Sequence, residues 1–534
     1  MFSFASYFSV VYLVAFLPAV VIVYSLVPQR VRWVVLLCAS YVFFWLISSK
    51  LIVFILLSTL SVYGTGRWLA SVIAARDAEV KAAERSERKA IKARYLRKLR
   101  GIAALGIGFN FALLIALKYL VFFAEVASSL LALCGVTVSA AVPSIGVPIG
   151  ISFYTMMAAS YLFDIYRGTI TADKHLGRVA LFLAFFPDIM EGPMCRYDQI
   201  AADLYAGAPV RKDDLYAGSV RILFGVAKKM IVADRLNLFV KPVFADYSNY
   251  DGGVIALAAI FYTIQLYCDF SGAMDVVIGS AKIFGVKLPE NFNHPFFSRT
   301  ASEFWQRWHI TLGAWLRDYV FYPVSLSAPV KSLTKAARAR LGGRAGSLLV
   351  GAIPLFCVWI INGLWHGAGS QYIFFGMYYF VLILLGGFID PLGQKIAETF
   401  GYSRTSKPYI AFQLVRTLIV IFVGELFFRA EGLDAGLAMF SQMTMDFTLD
   451  SFTNGTVLSI GMDACDYLAV AVSVVVLLVI ALIEEFRGVR ISEWLCSRNL
   501  ALRWVALYVL IVLIVVFGSY GVGTAPLDPI YAQF

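Results

Sequence analysis

His366 lies in GAIPLFCVWIINGLWHGAGSQYIFFGMYYFVLILLGG, a stretch otherwise apolar enough to live in a lipid bilayer. An ionisable side chain at membrane depth is costly unless it faces a cavity or a partner, which makes this histidine a functional candidate from the start. A neutral imidazole, with an ordinary pKa of about 6.5, can accept the proton of an attacking hydroxyl or pass a proton along a relay. The chain holds only 4 histidines, and two of them, His309 and His366, directly follow a tryptophan. Asn362 precedes His366 by one helical turn. Its amide and the indole N–H groups of Trp308 and Trp365 are of the type that stabilises a developing oxyanion.

Other polar groups fall in the same middle part of the chain. EFWQRWHITLGAWLRDYVFY (Glu303 to Tyr322) predicts an interfacial helix, with Trp305, His309, Leu312 and Leu316 on one face and Arg307, Thr311 and Asp318 on another. On such a helix His309 also has a plain structural reading, in which it satisfies a polar neighbour. In FFPDIMEGPMCRYDQI, Pro187 and Pro193 predict a bent or re-entrant path. Asp188, Glu191 and Arg196 are then expected to pair at a membrane edge. IQLYCDFSGAMDVVIGSAKIFG sets Gln265, Asp269 and Asp275 at membrane depth, Gln265 and Asp269 four apart on one helical face. Such carboxylates face a cavity or an interhelical partner, and for each alone structural support is the expected role. The 7 cysteines are scattered singly with no CxxC and no metal-ligand spacing, so no metal site is expected and they read as small buried hydrophobes.

The elements that must position these residues are membrane helices. With 534 residues, 60% hydrophobic, 15% charged and a mean hydropathy of +0.78, the composition excludes an ordinary soluble domain and predicts an all-α polytopic membrane protein. Apolar runs near 8–27, 33–48, 51–72, 101–123, 219–240, 253–268, 347–364, 372–389, 409–428, 467–484 and 502–520, with shorter Gly- and Pro-broken pieces near 145–163 and 178–190, predict about eleven to thirteen transmembrane or re-entrant helices. The first run has no basic flank before it and no small-residue cleavage site after it, so it is expected to be retained. No nucleic-acid partner is expected; the partner is the bilayer.

The net charge of +11 is unevenly spread. RDAEVKAAERSERKAIKARYLRKLR (76–100) carries ten Lys or Arg against four Asp or Glu, and the positive-inside rule puts this loop in the cytoplasm and the N-terminus outside. KSLTKAARARLGGR (331–344) has no acidic residue and also reads as cytoplasmic, serving orientation and lipid headgroup contact or binding an anionic ligand. No self-similar period and no matched pair of interrupted helices emerges, which disfavours an inverted-repeat carrier. The expected organisation is one membrane domain over 1–534. N-terminal helices occupy 1–75, the basic loop 76–100, a core 145–370, C-terminal helices 371–520 and a tail 521–534.

Read together, five segments resemble the membrane-bound O-acyltransferase family. They are SFYTMMAASYLFDIYRG (Ser152 to Gly168), FFPDIMEGPMCRY (Phe185 to Tyr197), DFSGAMDVVIG (Asp269 to Gly279), NFNHPFFSRTASEFWQRWHITLGAWLRDYVFYP (Asn291 to Pro323) and NGLWHG (Asn362 to Gly367). Their order and wording are most similar to the bacterial branch that includes proteins of alginate, cellulose and peptidoglycan acetylation and of teichoic-acid D-alanylation. The resemblance implies helices around a central tunnel, His366 as the catalytic histidine and His309 lining the same tunnel. Asn362, Trp308 and Trp365 are then tunnel or oxyanion candidates, and Asp269, Glu191 and Asp318 polar support. An acyl thioester, acetyl-CoA first among them or an acyl-carrier protein, is implied as donor on the cytoplasmic side, with no permanently bound cofactor.

The resemblance further implies a bacterial cell-membrane location and an extracytoplasmic SGNH-type acyltransferase that completes transfer to a polysaccharide. The loops, of about twenty to thirty residues, are below the size of an independent domain, which agrees with such a partner. The ending DPIYAQF resembles the family's tyrosine-containing tail and implies an acyl relay at Tyr531, although Ala532 stands where the family more often has Phe; an aromatic at an interface is the other reading. The function so implied is transfer of an acetyl group across the membrane for O-acetylation of a polysaccharide, with His366 as general base. Transfer of D-alanyl or another acyl group, acylation of a lipid or protein, a proton-coupled transporter and a non-catalytic export scaffold are the alternatives.

Overall fold

A computed structural model of the chain describes residues 6–133, 135 and 146–519. Among these residues there is no β-strand, only an isolated antiparallel bridge between Phe292 and Trp308. The protein is an all-α polytopic membrane protein. Eight segments among the described residues are long and apolar enough to cross a bilayer. The larger number expected from the sequence also counts the short and re-entrant pieces, and one of the eight, Gln29–Ala82, contains the two helices Arg32–Ser48 and Ile52–Ala82. Each long apolar run of the sequence falls on a helix, because length and hydropathy are local properties and the bilayer leaves no other way to satisfy the backbone.

The chain packs as two compact units, Met1–Ile222 with Val276–Pro289, and Leu223–Asp275 with Glu290–Phe534. In the first unit, Ile151–Arg167 is buried along almost its whole length. It begins at Gly150 (φ +70°), where a Cβ would lie 1.9 Å from the Ile189 carbonyl oxygen, so conformation and space both require glycine there. Tyr7 Oη donates to the Phe186 carbonyl at 3.1 Å, and Tyr12 Oη donates to Ser280 Oγ at 3.0 Å, which satisfies both phenols inside a cluster of rings. The basic segment 76–100 is helical apart from its turn. Ile52–Ala82 runs into it and Arg88–Leu114 starts from it, since its Ala, Glu, Lys and Arg residues are strong helix formers. Arg94 bonds Glu79 at 2.5 Å across the hairpin.

In the second unit the outermost helix, Leu500–Phe517, has no buried residue although it is almost wholly apolar. Val512 and Val516 are among its exposed side chains, as expected of a surface solvated by lipid rather than water. Inside, Gly343–His366 and Ser370–Thr399 approach through a seam of glycines. A Cβ at Gly363 would sit 2.4 Å from the Tyr372 carbonyl oxygen, and one at Gly376 2.4 Å from the Trp359 carbonyl oxygen. Small residues of this kind let membrane helices come within backbone contact. The π-helical segment Lys228–Ala233 and the helix Gly252–Ile283 are tied by charges. Lys228 Nζ lies 2.5 Å from Asp275 Oδ2 and donates to Ser271 Oγ at 2.9 Å. Lys229 Nζ lies 2.9 Å from Asp269 Oδ1 and 2.7 Å from Asp234 Oδ1.

Candidate active site

The single helix expected across Glu303 to Tyr322 is two helices, Ala301–Arg307 and Ile310–Leu316, with His309 at the break in a left-handed conformation (φ 46°, ψ 51°). The partner that breaks it is the segment from Asn291 to Asn293. Asn293 N donates to the Arg307 carbonyl at 2.9 Å and Ile310 N donates to the Asn291 carbonyl at 3.0 Å, so backbone that would continue the helix pairs sideways instead. The Asn291 side chain completes the anchor. Its Oδ1 accepts from Thr311 N at 3.0 Å and from Thr311 Oγ1 at 2.7 Å, and lies 3.4 Å from His309 Nδ1. A proton on Nδ1 facing this oxygen leaves Nε2 as the basic nitrogen of a neutral ring. Positive φ at a non-glycine residue is uncommon and costs free energy, and such strain clusters where function over-determines the backbone.

An ion pair ties this segment to the helix Ala464–Arg487: Arg307 bonds Glu485 at 2.8 Å, and also Glu303 of its own helix at 3.1 Å, while His294 Nε2 lies 3.4 Å from Glu484 Oε2. His294 shares the left-handed conformation of His309, with φ 45°.

His366 is the last residue of the helix Gly343–His366 and is 3% exposed. The next residue is again a glycine with no room to spare, since a Cβ at Gly367 would lie 2.4 Å from Tyr372 Cε2. The imidazole is enclosed by ring edges, with Phe428 at 5.0 Å, Phe375 at 6.0 Å and Trp365 at 4.8 Å between centroids. Trp365 also meets His309 edge-on at 5.5 Å, and Phe270 covers His309 at 4.8 Å. One tryptophan ring therefore touches both histidines, although 57 residues of chain separate them. Asn362 is buried one turn before His366, and its Oδ1 makes no hydrogen bond to any described residue.

The other sequence candidates fall in different places. Trp308 packs among Tyr267, Phe292, Phe296 and Phe304. Asp269 belongs to the lysine network described above, and Asp318 lies 3.0 Å from Arg317 Nε on a π-helical turn. Glu191 is buried in the first unit, as is Asp188, so these carboxylates do not lie at an exposed edge. Tyr531 lies outside the described residues. Sequence reading missed Asn291, Lys228 and Lys229. For the lysines a signal exists, since two adjacent cations interrupt an apolar run; Asn291 gives none, because its role depends on meeting residues 307–311. Among the described residues no group of His, Cys, Asp and Glu is placed to hold a metal ion.

The arrangement offers two buried imidazoles with polar amide and indole groups beside them, in surroundings with little access to water, which suits acyl transfer to a hydroxyl better than hydrolysis. Comparison with known proteins points the same way. Residues 241–337 match the description "MBOAT, membrane-bound O-acyltransferase family". A probable alginate O-acetylase (AlgI) of Pseudomonas aeruginosa is 31% identical over 467 residues, 86% of this chain and 80% of that protein. A teichoic acid D-alanyltransferase of Bacillus subtilis is 32% identical over 250 residues, 46% of this chain and 60% of its own length. A peptidoglycan O-acetyltransferase of Helicobacter pylori is 28% identical over 329 residues, 55% of this chain and 56% of its own. With a relative this similar across most of its length and both motif histidines on one tryptophan ring, the chain belongs to the membrane-bound O-acyltransferase family.

Proposed function

We propose that this O-acyltransferase takes an acetyl group from acetyl-CoA on the cytoplasmic side and passes it across the membrane for O-acetylation of an extracytoplasmic polysaccharide. His366 acts as general base and His309 lines the same reaction chamber. The observation that carries this reading is the placement of the two buried histidines against Trp365, with Asn362 one turn away. As the acceptor oxygen attacks the thioester carbonyl, His366 takes its proton. The new C–O bond forms, the oxyanion is held by the Asn362 amide or the Trp365 indole N–H, the C–S bond breaks, and the proton goes to the departing sulfur. Atoms and charges balance without a metal or redox partner.

The acceptor class is carried over from the relatives named for alginate and peptidoglycan O-acetylation. A soluble extracytoplasmic SGNH-type partner would complete transfer to the polymer, and Tyr531 is proposed as the intermediate acceptor that relays the acyl group to it. The D-alanyltransferase relative supports a second reading, transfer of D-alanyl to a cell-wall polymer by the same residues. Family membership retires the transporter and scaffold alternatives.

The test uses full-length protein in membranes with labelled acetyl-CoA. His366→Ala is expected to abolish acyl transfer while expression and membrane assembly persist; transfer at the parental rate would remove His366 from the mechanism. Mass spectrometry of the C-terminal peptide during turnover is expected to show an acetyl adduct on Tyr531, and its absence in an active protein would end the relay proposal. Supplying a D-alanyl thioester in parallel decides which acyl group is used.

A further inference from the structure

Acyl transfer leaves unused the basic helix Ala328–Leu341, APVKSLTKAARARL. From Tyr319 to Ile389 the sequence contains no Asp or Glu at all, so the helix's cations have no acidic partner near them in the chain. Lys331, Lys335 and Arg338 stand at i, i+4 and i+7 and so share one face. With Ser325, Leu326 and Thr334 they line a surface pocket of 410 Å³. Three cations around one pocket repel each other, and an anion bound among them converts that repulsion into attraction.

The pocket is built rather than incidental. Arg338 Nε donates to Ser347 Oγ at 2.7 Å, which fixes the guanidinium. The helix itself is held against Gly343–His366 at Gly346, where a Cβ would lie 2.6 Å from the backbone of Ala337 and Arg338. Beside the cations lie exposed leucines, with Leu326 59% and Leu341 53% exposed. Cations beside exposed leucines are the pattern of a helix lying at a membrane interface. A ligand that carries both a phosphate and hydrocarbon chains matches the two surfaces at once: its phosphate oxygens accept charge-assisted hydrogen bonds from Lys331, Lys335 and Arg338, while its chains lie along the leucines.

We propose that this pocket is a binding site for the phosphate headgroup of an anionic phospholipid, independent of the acyl-transfer residues. The chemistry it recognises is a phosphate ester, which the phosphates of coenzyme A also offer, and the experiment separates the two sources. Full-length protein is placed in phosphatidylcholine nanodiscs with or without phosphatidylglycerol, and retained lipid is counted by native mass spectrometry. Phosphatidylglycerol is expected to be retained in preference to phosphatidylcholine. In Lys331→Ala/Lys335→Ala/Arg338→Ala that preference should fall roughly a hundredfold, since each basic residue near an anionic surface contributes about a fivefold effect.

The single variant Arg340→Ala, on the opposite face of the same helix, controls for general surface charge and is expected to leave retention unchanged. Equal retention by wild type and the triple variant overturns the site, and so does an Arg340→Ala loss as large as that of the triple variant. Retention that survives excess coenzyme A supports the lipid, whereas displacement by coenzyme A that disappears in the triple variant overturns it in favour of the soluble phosphate. Acyl transfer by the triple variant, measured alongside, reports separately on the proposed function.

Discussion

Two buried polar groups within one unit are solved in opposite ways. At Lys228 and Lys229, each charge meets a countercharge or a hydroxyl at hydrogen-bonding distance, with Asp275, Ser271, Asp269 and Asp234 as the partners. At His309 and His366, ring edges from Phe270, Trp365, Phe375 and Phe428 pack against the imidazoles, and the Asn291 amide oxygen lies 3.4 Å from His309 Nδ1. An ion network of this kind ties neighbouring helices together. The aromatic edges around the imidazoles bring no countercharge, and a neutral imidazole can accept a proton. Burial alone does not distinguish the two regions; the kind of neighbour does.

The contrast can be broken most decisively at His366. Replacing it by Gln is expected to lower acyl transfer by about 10²- to 10⁴-fold, the usual range for a general base, with a thermal midpoint close to that of the parent; a drop in midpoint with activity retained would reverse the two roles. At the ion network the pattern should invert. Lys228→Met is expected to destabilise the fold by about 1–3 kcal/mol, because it removes the cation 2.5 Å from the largely buried Asp275 carboxylate, while Lys228→Met/Asp275→Leu recovers most of that loss. Thermal melting in detergent distinguishes the single from the double variant, and equal midpoints would show that the pair has no mutual role.

Between the two regions stands Asn291. Asn291→Ala removes the acceptor for Thr311 and the contact to His309, with an expected cost of about 1–3 kcal/mol and a fall in kcat at unchanged KM; a change confined to KM would place Asn291 in substrate binding instead. Gly363→Ala puts a methyl against the Tyr372 carbonyl and is expected to cost about 1–3 kcal/mol by overpacking, with activity lost as His366 shifts, and full activity at the parental midpoint would show that the seam tolerates separation. The smallest effect belongs to Arg94→Ala in the exposed hairpin, where an ion pair in water contributes little, and neither activity nor melting should change measurably.

Much of this was legible from the chain. The helices, the short broken pieces at 145–163 and 178–190 and the candidate histidine follow from hydropathy and from the cost of polarity at depth. The expectation of one helix through His309 fails at a particular residue, because periodicity reports only neighbours within a few positions and the bonds from Asn291 and Asn293 arrive from outside that window. The expected loop at 76–100 is mostly helical for the opposite reason, since its local propensity is strong and a count of charges ignores it. Asp269 reads as support in the sequence, and in the fold it pairs with Lys229, which lies forty residues away in the chain.

By itself the sequence determined the solvent, the helical class, the positions of the long helices and which residues stand out chemically, since each of these rests on composition and short-range order. Only the tertiary structure decided that Trp365 lies against both His309 and His366, that His309 adopts a left-handed conformation, and that Gly363, Gly367 and Gly376 set how closely two helices approach. Those outcomes depend on contacts between distant parts of the chain, and close packing fixes such contacts to within a fraction of an ångström in a way no local pattern records.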